Sequence, residues 1–247
     1  MLNRWIGFVL GLALATPAWA LDLKDLTSEE RAQFRAEVRA YLLENPDVIR
    51  EAIEALQVRE AEEAAQADLA LVAANKEALF NDGFSWVGGN PNGDITLVEF
   101  LDYRCGFCKR AHDEVASLLA ADGNIRLIVK EFPILGDQSV VASRFAVATK
   151  QIAGGDGYKA IHDALMEFSG DITLPALRRM SDTLGLDTAA IEAHMMSETV
   201  SDEIRNTRAL AQRLSISGTP TFVLEDEMLR GFLRSDQMKD LVNAKRG

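Results

Sequence analysis

The sequence predicts an α/β fold in which helices cover a mixed β-sheet, preceded by a helical region. Apolar, β-branched runs at 95–101 and 125–134 predict buried strands, and segments of helical periodicity separate the strands. Residues 26–81 carry a helical pattern almost throughout, and turn-forming residues at 88–93 divide this region from the first strand. Strands that alternate with helices are typical of a sheet with helices on its faces.

The first 20 residues predict a secretory signal peptide. Arg4 precedes an apolar run from Trp5 to about Ala15, and Ala18 and Ala20 form a small-x-small cleavage pattern. The run is too short to cross a bilayer as a helix. We therefore expect cleavage after Ala20, export, and no membrane insertion of the mature chain.

Charge and cysteine content narrow the class of protein. The 247 residues carry a formal charge of −12, and an acidic exported chain is a poor candidate for binding nucleic acid or an anionic membrane surface. Exported chains that depend on disulfides for stability usually carry more than the two cysteines present here. The chain is long enough to bury a core without such bridges.

Residues 21–80 predict a helical stalk. Thr27 and Glu30 have capping-box spacing, and Pro46 suits the first turn of a second helix that runs to about Phe80. A narrow apolar seam follows the helical repeat through Phe34, Val38, Leu42, Ile49, Ile53 and Leu56. The region is either a solvated spacer or an oligomerisation stalk. We favour a homo-oligomer, dimer or trimer, because the seam needs a partner surface.

Residues 81–247 predict the α/β domain. A helix to about Ala121 follows the first strand, and a helical block occupies about 137–214. A strand pair then flanks Asp226 and Glu227, and a closing helix covers 235–244.

The chain's two cysteines lie in the stretch Cys105-Gly106-Phe107-Cys108, between the first strand and the next helix. The unpaired amides at the start of a helix stabilise a thiolate, so Cys105 is the expected nucleophile and should face solvent. Cys108 shares its helix face with Ala111 and Val115 and should face the core. An exposed thiolate with a covered partner suits thiol–disulfide exchange through a Cys105–Cys108 disulfide.

Two other interpretations of this spacing remain. A Cys-x-x-Cys pair is half of many zinc sites, and His112, one turn after Cys108, could supply a third ligand. A purely structural bridge closes too small a loop to stabilise much. We favour the redox pair, with no metal site and no cofactor beyond the dithiol itself.

The sequence resembles the DsbA-like branch of the thioredoxin-fold oxidoreductases. The stretches EFLDYRCGFC, VKEFPILG and LSISGTPTFVL carry the resemblance, in that order, with helices between the last two. The resemblance implies a thioredoxin fold with an inserted helical domain, preceded by the N-terminal helical stalk. The stalk with ENPDVIREAI is similar to that of ScsC-type, oligomeric members.

The resemblance also implies roles for individual residues. Pro220 matches the family's cis-proline, and the backbone of Thr219 would pair with substrate. Glu99 matches a buried acid that transfers protons beneath the dithiol, and Lys130 matches its usual partner. Phe107 replaces the basic residue of the most oxidising relatives, which implies a weaker oxidant, and it offers an apolar contact to unfolded chains.

These observations predict a periplasmic thiol–disulfide oxidoreductase that acts on unfolded or misoxidised exported proteins and is recycled by a membrane redox partner. The stalk favours a disulfide isomerase or reductase, because several active sites around one cavity raise the effective thiol concentration. A disulfide oxidase of the same fold is the alternative. A periplasmic copper or zinc carrier and a redox-independent holdase are the rival classes.

Overall fold

The computed structural model describes residues 26–247, so the predicted signal peptide and its cleavage after Ala20 lie outside the described residues. Its contacts divide the described chain into residues 26–59 and a larger compact unit from Glu60 to Gly247. The stalk boundary predicted from sequence, at residue 80, lies about twenty residues after this division.

Along the described residues, α-helices alternate with the strands of one five-stranded sheet. The helices are α1 (Ser28–Glu44), α2 (Asp47–Ala74), α3 (Lys76–Phe80), α4 (Gly106–Ala121), α5 (Asp137–Glu167), α6 (Leu174–Thr183), α7 (Thr188–His194), α8 (Glu198–Arg213) and α9 (Ser235–Arg246). The strands are β1 (Trp86–Gly89), β2 (Ile95–Leu101), β3 (Ile125–Glu131), β4 (Thr221–Leu224) and β5 (Glu227–Arg230). The helical block predicted for about 137–214 is therefore α5–α8.

The strands lie in the order β1-β3-β2-β4-β5. Strands β2 and β3 are parallel, and the other three pairs are antiparallel, which confirms the mixed sheet and the β4–β5 hairpin. Strand β1 was not predicted, because its Trp86–Gly89 segment is short and ends in two glycines that signal a turn.

The two faces of the sheet belong to different layers. Leu97 and Leu101 of β2 face a core built with α4, α5 and α9. The alternate residues Val98 and Phe100 face a second core that includes Val72 of α2. Because successive side chains along a strand point to opposite faces, odd-numbered residues of β2 face one core and even-numbered residues face the other.

The second predicted helix, from Pro46 to about Phe80, is interrupted at Asn75. Its side-chain amide donates to the carbonyl of Leu71 at 2.9 Å, and its oxygen accepts from Arg213 at 2.7 Å. On either side of this break, Val72 and Leu79 are buried in the second core. Residues 60–80 therefore pack as part of the compact unit. For this reason the N-terminal unit ends at Arg59 and not at residue 80, where the sequence placed the end of the stalk.

The N-terminal unit begins with the predicted capping box, which is confirmed. Glu30 donates its backbone N–H to the Thr27 hydroxyl, and its carboxylate accepts from the Thr27 backbone N–H at 2.9 Å. Most large apolar side chains of this unit are exposed on the single chain, namely Phe34, Val38, Tyr41, Leu43, Ile49, Ile53, Leu56 and Val58. Leu42 of the predicted seam is half-buried. Within residues 26–247, no helix combines the length and apolar character that a bilayer crossing requires.

Candidate active site

Cys105 is the N-cap residue of α4, four residues after the end of β2. Its Sγ accepts a hydrogen bond from the backbone N–H of Cys108 at 3.4 Å, as predicted for a sulfur at a helix start. Both cysteines carry free thiols here. Cys108 lies in the core beside Ala111 and Val115, as the helical spacing predicts.

Cys105 is more covered than the solvent-facing sulfur predicted from sequence, with an exposed fraction of 7%. The covering group is the loop before β4, where the Thr219 carbonyl lies 3.2 Å from the Cys105 Sγ and accepts a hydrogen bond from the thiol. The Thr219–Pro220 peptide bond is cis, as the resemblance implies for this position. The helix start and this loop together enclose the sulfur from two sides.

Hydrogen bonds shift the pKa values of the two cysteine thiols in opposite directions. The hydrogen bond from the Cys108 thiol has the largest influence and lowers the pKa of Cys105 to about 5. Hydrogen bonds from the Thr219 side chain and from the backbone N–H groups of Cys108 and Phe107 act in the same direction, and burial opposes them. The hydrogen bond between the two cysteines and burial raise the pKa of Cys108 well above its ordinary value. At neutral pH one sulfur is therefore a thiolate and the other a thiol.

Phe107 lies on the surface in the first turn of α4, with 54% of its area exposed. The Arg110 guanidinium stacks over its ring at 4.3 Å from the centroid. Phe232 is 5.8 Å from the same guanidinium, so the three side chains form a mixed aromatic and cationic surface next to the dithiol.

Glu99 is buried in β2, with an exposed fraction of 3%, and its Oε1 accepts no hydrogen bond from the described residues. Burial, together with the charge of Cys105, raises the pKa of Glu99 to about 8. Glu99 also acts electrostatically on Cys108. A neutral carboxyl that ionises near pH 8 is suited to exchange a proton with a buried thiol.

Lys130 does not pair with Glu99, and this part of the prediction is wrong. In the parallel register Glu99 lies opposite Val129, whereas Lys130 lies opposite Phe100 on the other face of the sheet. Its ammonium donates to Asp82 at 2.5 Å and to the carbonyl of Ala78 at 2.9 Å. Lys130 thus ties β3 to the segment around α3, away from the dithiol.

We expect Lys130→Met to destabilise the protein by roughly 2–4 kcal/mol, because it leaves the half-buried Asp82 without its ammonium partner. The turnover of the folded variant should match that of the wild type, because the side chain lies on the face away from the cysteines. Urea unfolding and an insulin reduction assay measure the two effects. Lower turnover in a fully folded Lys130→Met variant would instead show that Lys130 takes part in catalysis.

Asp102, which the sequence analysis missed, organises the loop that carries Cys105. One carboxylate oxygen accepts from the Arg104 N–H at 2.8 Å, and the other accepts from the N–H groups of Ile134 and Leu135 at 2.8 and 3.0 Å. Its carbonyl accepts from the Cys105 N–H. The available signal was an acid directly after a buried strand, where an unpaired carboxylate would be costly.

Glu131 was also missed. Its carboxylate is buried and accepts hydrogen bonds from Tyr103 and Tyr158, both at 2.6 Å, and from Ser143 at 2.7 Å. Burial raises the pKa of Glu131 to about 7, although these three hydroxyl groups favour the ionised form. The group joins the loop before Cys105 to α5.

His112 does not extend the cysteine pair into a metal site. Among residues 26–247, the histidine, cysteine and acidic groups that lie close enough together to share an ion are His112, His162 and Asp163, and neither cysteine belongs to this group.

Two family models match the chain. The DSBA-like thioredoxin domain matches residues 96–243. The copper resistance protein ScsC N-terminal domain matches residues 30–63.

Several solved structures resemble the chain over most of its length. A thioredoxin-like oxidoreductase from Silicibacter pomeroyi is 43% identical, with a TM-score of 0.66, over 70% of this chain and 98% of that one. Proteus mirabilis ScsC in a transitional conformation is 27% identical, with a TM-score of 0.65, over 90% of this chain and 97% of that one. Salmonella enterica Typhimurium BcfH is 26% identical, with a TM-score of 0.75, over 89% and 97%.

Among curated proteins, the chain is similar to the Na⁺/H⁺ antiporter NhaA 3 of Salinispora tropica, with 27% identity over 145 residues. That match takes in 59% of this chain and only 22% of the antiporter, so the similarity spans about a fifth of the relative.

Proposed function

We propose that this chain, which belongs to the DSBA-like thioredoxin domain family, is an exported thiol–disulfide oxidoreductase of the DsbA/ScsC type that isomerises or reduces disulfides in exported proteins. The observation that carries the proposal is the separation of the two thiols. Cys105 ionises at a pKa of about 5, whereas burial and hydrogen bonding keep Cys108 protonated. We place the protein in the periplasm, in keeping with the predicted signal peptide.

The dithiol supports a two-step exchange. The Cys105 thiolate attacks one sulfur of a substrate disulfide, forms a mixed disulfide and releases the other substrate sulfur as a thiolate. In isomerisation, a substrate thiolate then attacks the mixed disulfide and releases Cys105, with no net oxidation. In reduction, Cys108 gives its proton to the ionised Glu99 carboxylate and attacks Cys105, which leaves a Cys105–Cys108 disulfide and a reduced substrate.

The loop before β4 and the surface at Phe107 supply the substrate contacts in this proposal. The backbone at Thr219 reaches the Cys105 sulfur, so an extended substrate segment beside Pro220 would present its disulfide to the nucleophile. Phe107 offers an exposed aromatic ring for the apolar side chains that unfolded proteins display.

The N-terminal unit favours isomerisation over oxidation. Its apolar seam is exposed on the single chain, and burying it against copies of itself would place several dithiols around one substrate. Each released substrate thiol would then meet a neighbouring active site before it diffuses away. A membrane redox partner is needed to keep the dithiol reduced, because each substrate reduction converts the dithiol into the Cys105–Cys108 disulfide.

Ile53→Glu tests this proposal in the full chain. A charge in the seam should dissociate the oligomer and reduce isomerisation of scrambled ribonuclease by about 10-fold or more, while insulin reduction by each dithiol persists. Val58→Glu is the matched control, because Val58 is equally exposed but lies on the opposite side of the helix, at about 100° per residue.

Sedimentation velocity measures the mass, and the two assays measure activity. If the wild type is monomeric, or if Ile53→Glu dissociates the protein without affecting isomerisation, the stalk has no part in the activity and the oxidase alternative is favoured.

A further inference from the structure

His112 on α4 and His162 and Asp163 on α5 lie close together. One ligand atom from each lies within 4.8 Å of the other two. The proposed exchange reaction uses none of these side chains. Two imidazoles and a carboxylate are a ligand set that suits Zn²⁺ and related divalent cations.

The hydrogen bonds behind His162 fix its tautomer. Its Nδ1 lies 3.0 Å from the Tyr103 hydroxyl, and that hydroxyl donates its single proton to Glu131 at 2.6 Å. When Glu131 is ionised, Nδ1 must therefore be the donor, and Nε2 carries a free lone pair. Burial also lowers the pKa of His162 to about 3, so the ring stays neutral.

The His162 ring is also held in place by its neighbours. Tyr158 stacks against it with a centroid distance of 5.6 Å and an interplanar angle of 17°, and Trp86 stacks at 6.4 Å. An imidazole that is buried, neutral, oriented and hydrogen-bonded through its other nitrogen is arranged as metal-binding histidines usually are.

Asp163 presents one oxygen to the same place. Lys159 pairs with Oδ2, whereas Oδ1 lies 3.4 Å from the His112 Nε2 and accepts no hydrogen bond from the described residues. All three side chains line a cavity of about 80 Å³. Glu99, a buried carboxyl with an unpaired Oε1, lines the same cavity. Neither the Asp163 Oδ1 nor the Glu99 Oε1 accepts a hydrogen bond from the described residues.

We propose that His112, His162 and Asp163 form a site for a divalent cation of the Zn²⁺ type, with the fourth position open to water in the cavity. Zn²⁺ bonds of about 2.1 Å place ligand atoms about 3.4 Å apart in a tetrahedron, so the half-buried His112 and Asp163 side chains close by at most about 1.4 Å. The ion would link α4, which carries the dithiol, to the inserted helices.

Zn²⁺ titration of a tag-free Cys105→Ser/Cys108→Ser protein tests the site without thiolate ligands and independently of the exchange activity. We expect one ion per chain, measured by competition with a chromophoric chelator, and tetrahedral d–d absorption when Co²⁺ replaces Zn²⁺. His112→Ala should weaken Zn²⁺ binding by more than about 100-fold, since loss of even an outer partner costs about 10–100-fold. Lys159→Ala should strengthen binding, because it frees the second oxygen of Asp163.

His194→Ala is the matched control, because His194 bonds to Gln151 outside the cluster and its loss should leave the affinity unchanged. Tyr103→Phe should weaken binding by about 10–100-fold through the lost Nδ1 partner. Far-UV circular dichroism verifies that each variant is folded. The site is refuted if the double serine variant binds no stoichiometric Zn²⁺, or if His112→Ala binds it as tightly as its parent.

Discussion

Replacing Cys105 with serine is expected to lower the rate of disulfide exchange by a factor on the order of 10³ or more. The wild-type sulfur, with a pKa of about 5, is almost fully ionised at pH 7, whereas a serine hydroxyl in the same place stays protonated. Insulin reduction by the folded variant measures the loss. An activity retained in Cys105→Ser would favour a redox-independent holdase.

Two variants of Cys108 separate its roles as resolving thiol and as hydrogen-bond donor. Cys108→Ser and Cys108→Ala should both accumulate a mixed disulfide with substrate, because neither can attack Cys105. Only serine still donates to the Cys105 sulfur, so the alkylation midpoint should stay near pH 5 in Cys108→Ser and rise in Cys108→Ala.

The rate of iodoacetamide alkylation, followed from pH 3 to pH 9, gives each midpoint. A midpoint near pH 9 in the reduced wild type would mean that the helix start and its donors do not stabilise the thiolate. The proposed nucleophile would then lose its physical basis.

The features that the sequence predicted correctly are those fixed by nearby residues. The Thr27 cap depends on Glu30 three residues later, and the position of Cys105 depends on where one strand ends and one helix begins. The burial of Cys108 follows from its helical spacing to Ala111 and Val115. Periodicity and capping rules act within one or two turns, so a single sequence contains the information they need.

The errors arose where the answer depended on register between distant segments. Glu99 and Lys130 lie on neighbouring parallel strands, but a shift of one residue in pairing moves a side chain to the other face. The acid on the dithiol side of β3 is Glu131, the residue directly after Lys130. The alternation of side chains along each strand can be predicted from the sequence, whereas the pairing register between the two strands is set by packing.

Distance along the chain explains the other omissions. His112 and His162 are fifty residues apart, and only the packing of α4 against α5 brings their rings to 5.2 Å. Asp102 binds amides of residues 134 and 135, beyond the next strand. Each of these contacts depends on tertiary structure that no local pattern encodes.

Glu99→Gln is expected to stabilise the reduced protein, and increasingly so as pH rises. The carboxyl pKa is about 8 in the folded protein against an ordinary value of 4.5, so the folded state favours the neutral form. The stability that the wild-type protein gains from a neutral Glu99 is complete below pH 4.5. It is lost as pH rises through 8, by up to about 1.4 kcal/mol per pH unit. Glutamine does not titrate, so the difference in unfolding free energy should grow to several kcal/mol by pH 8.

Denaturant unfolding of the reduced wild type and Glu99→Gln at pH 5, 6.5 and 8 measures this difference. The oxidised proteins are the control, because a disulfide removes the Cys105 charge that helps to raise the Glu99 pKa, and the pH-dependent difference should shrink. A constant difference across pH in the reduced state would show that Glu99 ionises as an exposed carboxyl does.

The same substitution should slow the attack of Cys108 on a mixed disulfide by about 10²–10⁴-fold, because the thiol loses the group that takes its proton. Single-turnover reduction of a peptide disulfide, with the mixed disulfide trapped by acid, measures this step. Attack by Cys105 on the substrate should keep its wild-type rate, since that sulfur is already ionised. A variant that is more stable but slower only in the resolving step would show that the buried Glu99 carboxyl destabilises the fold and serves to accept the proton of Cys108.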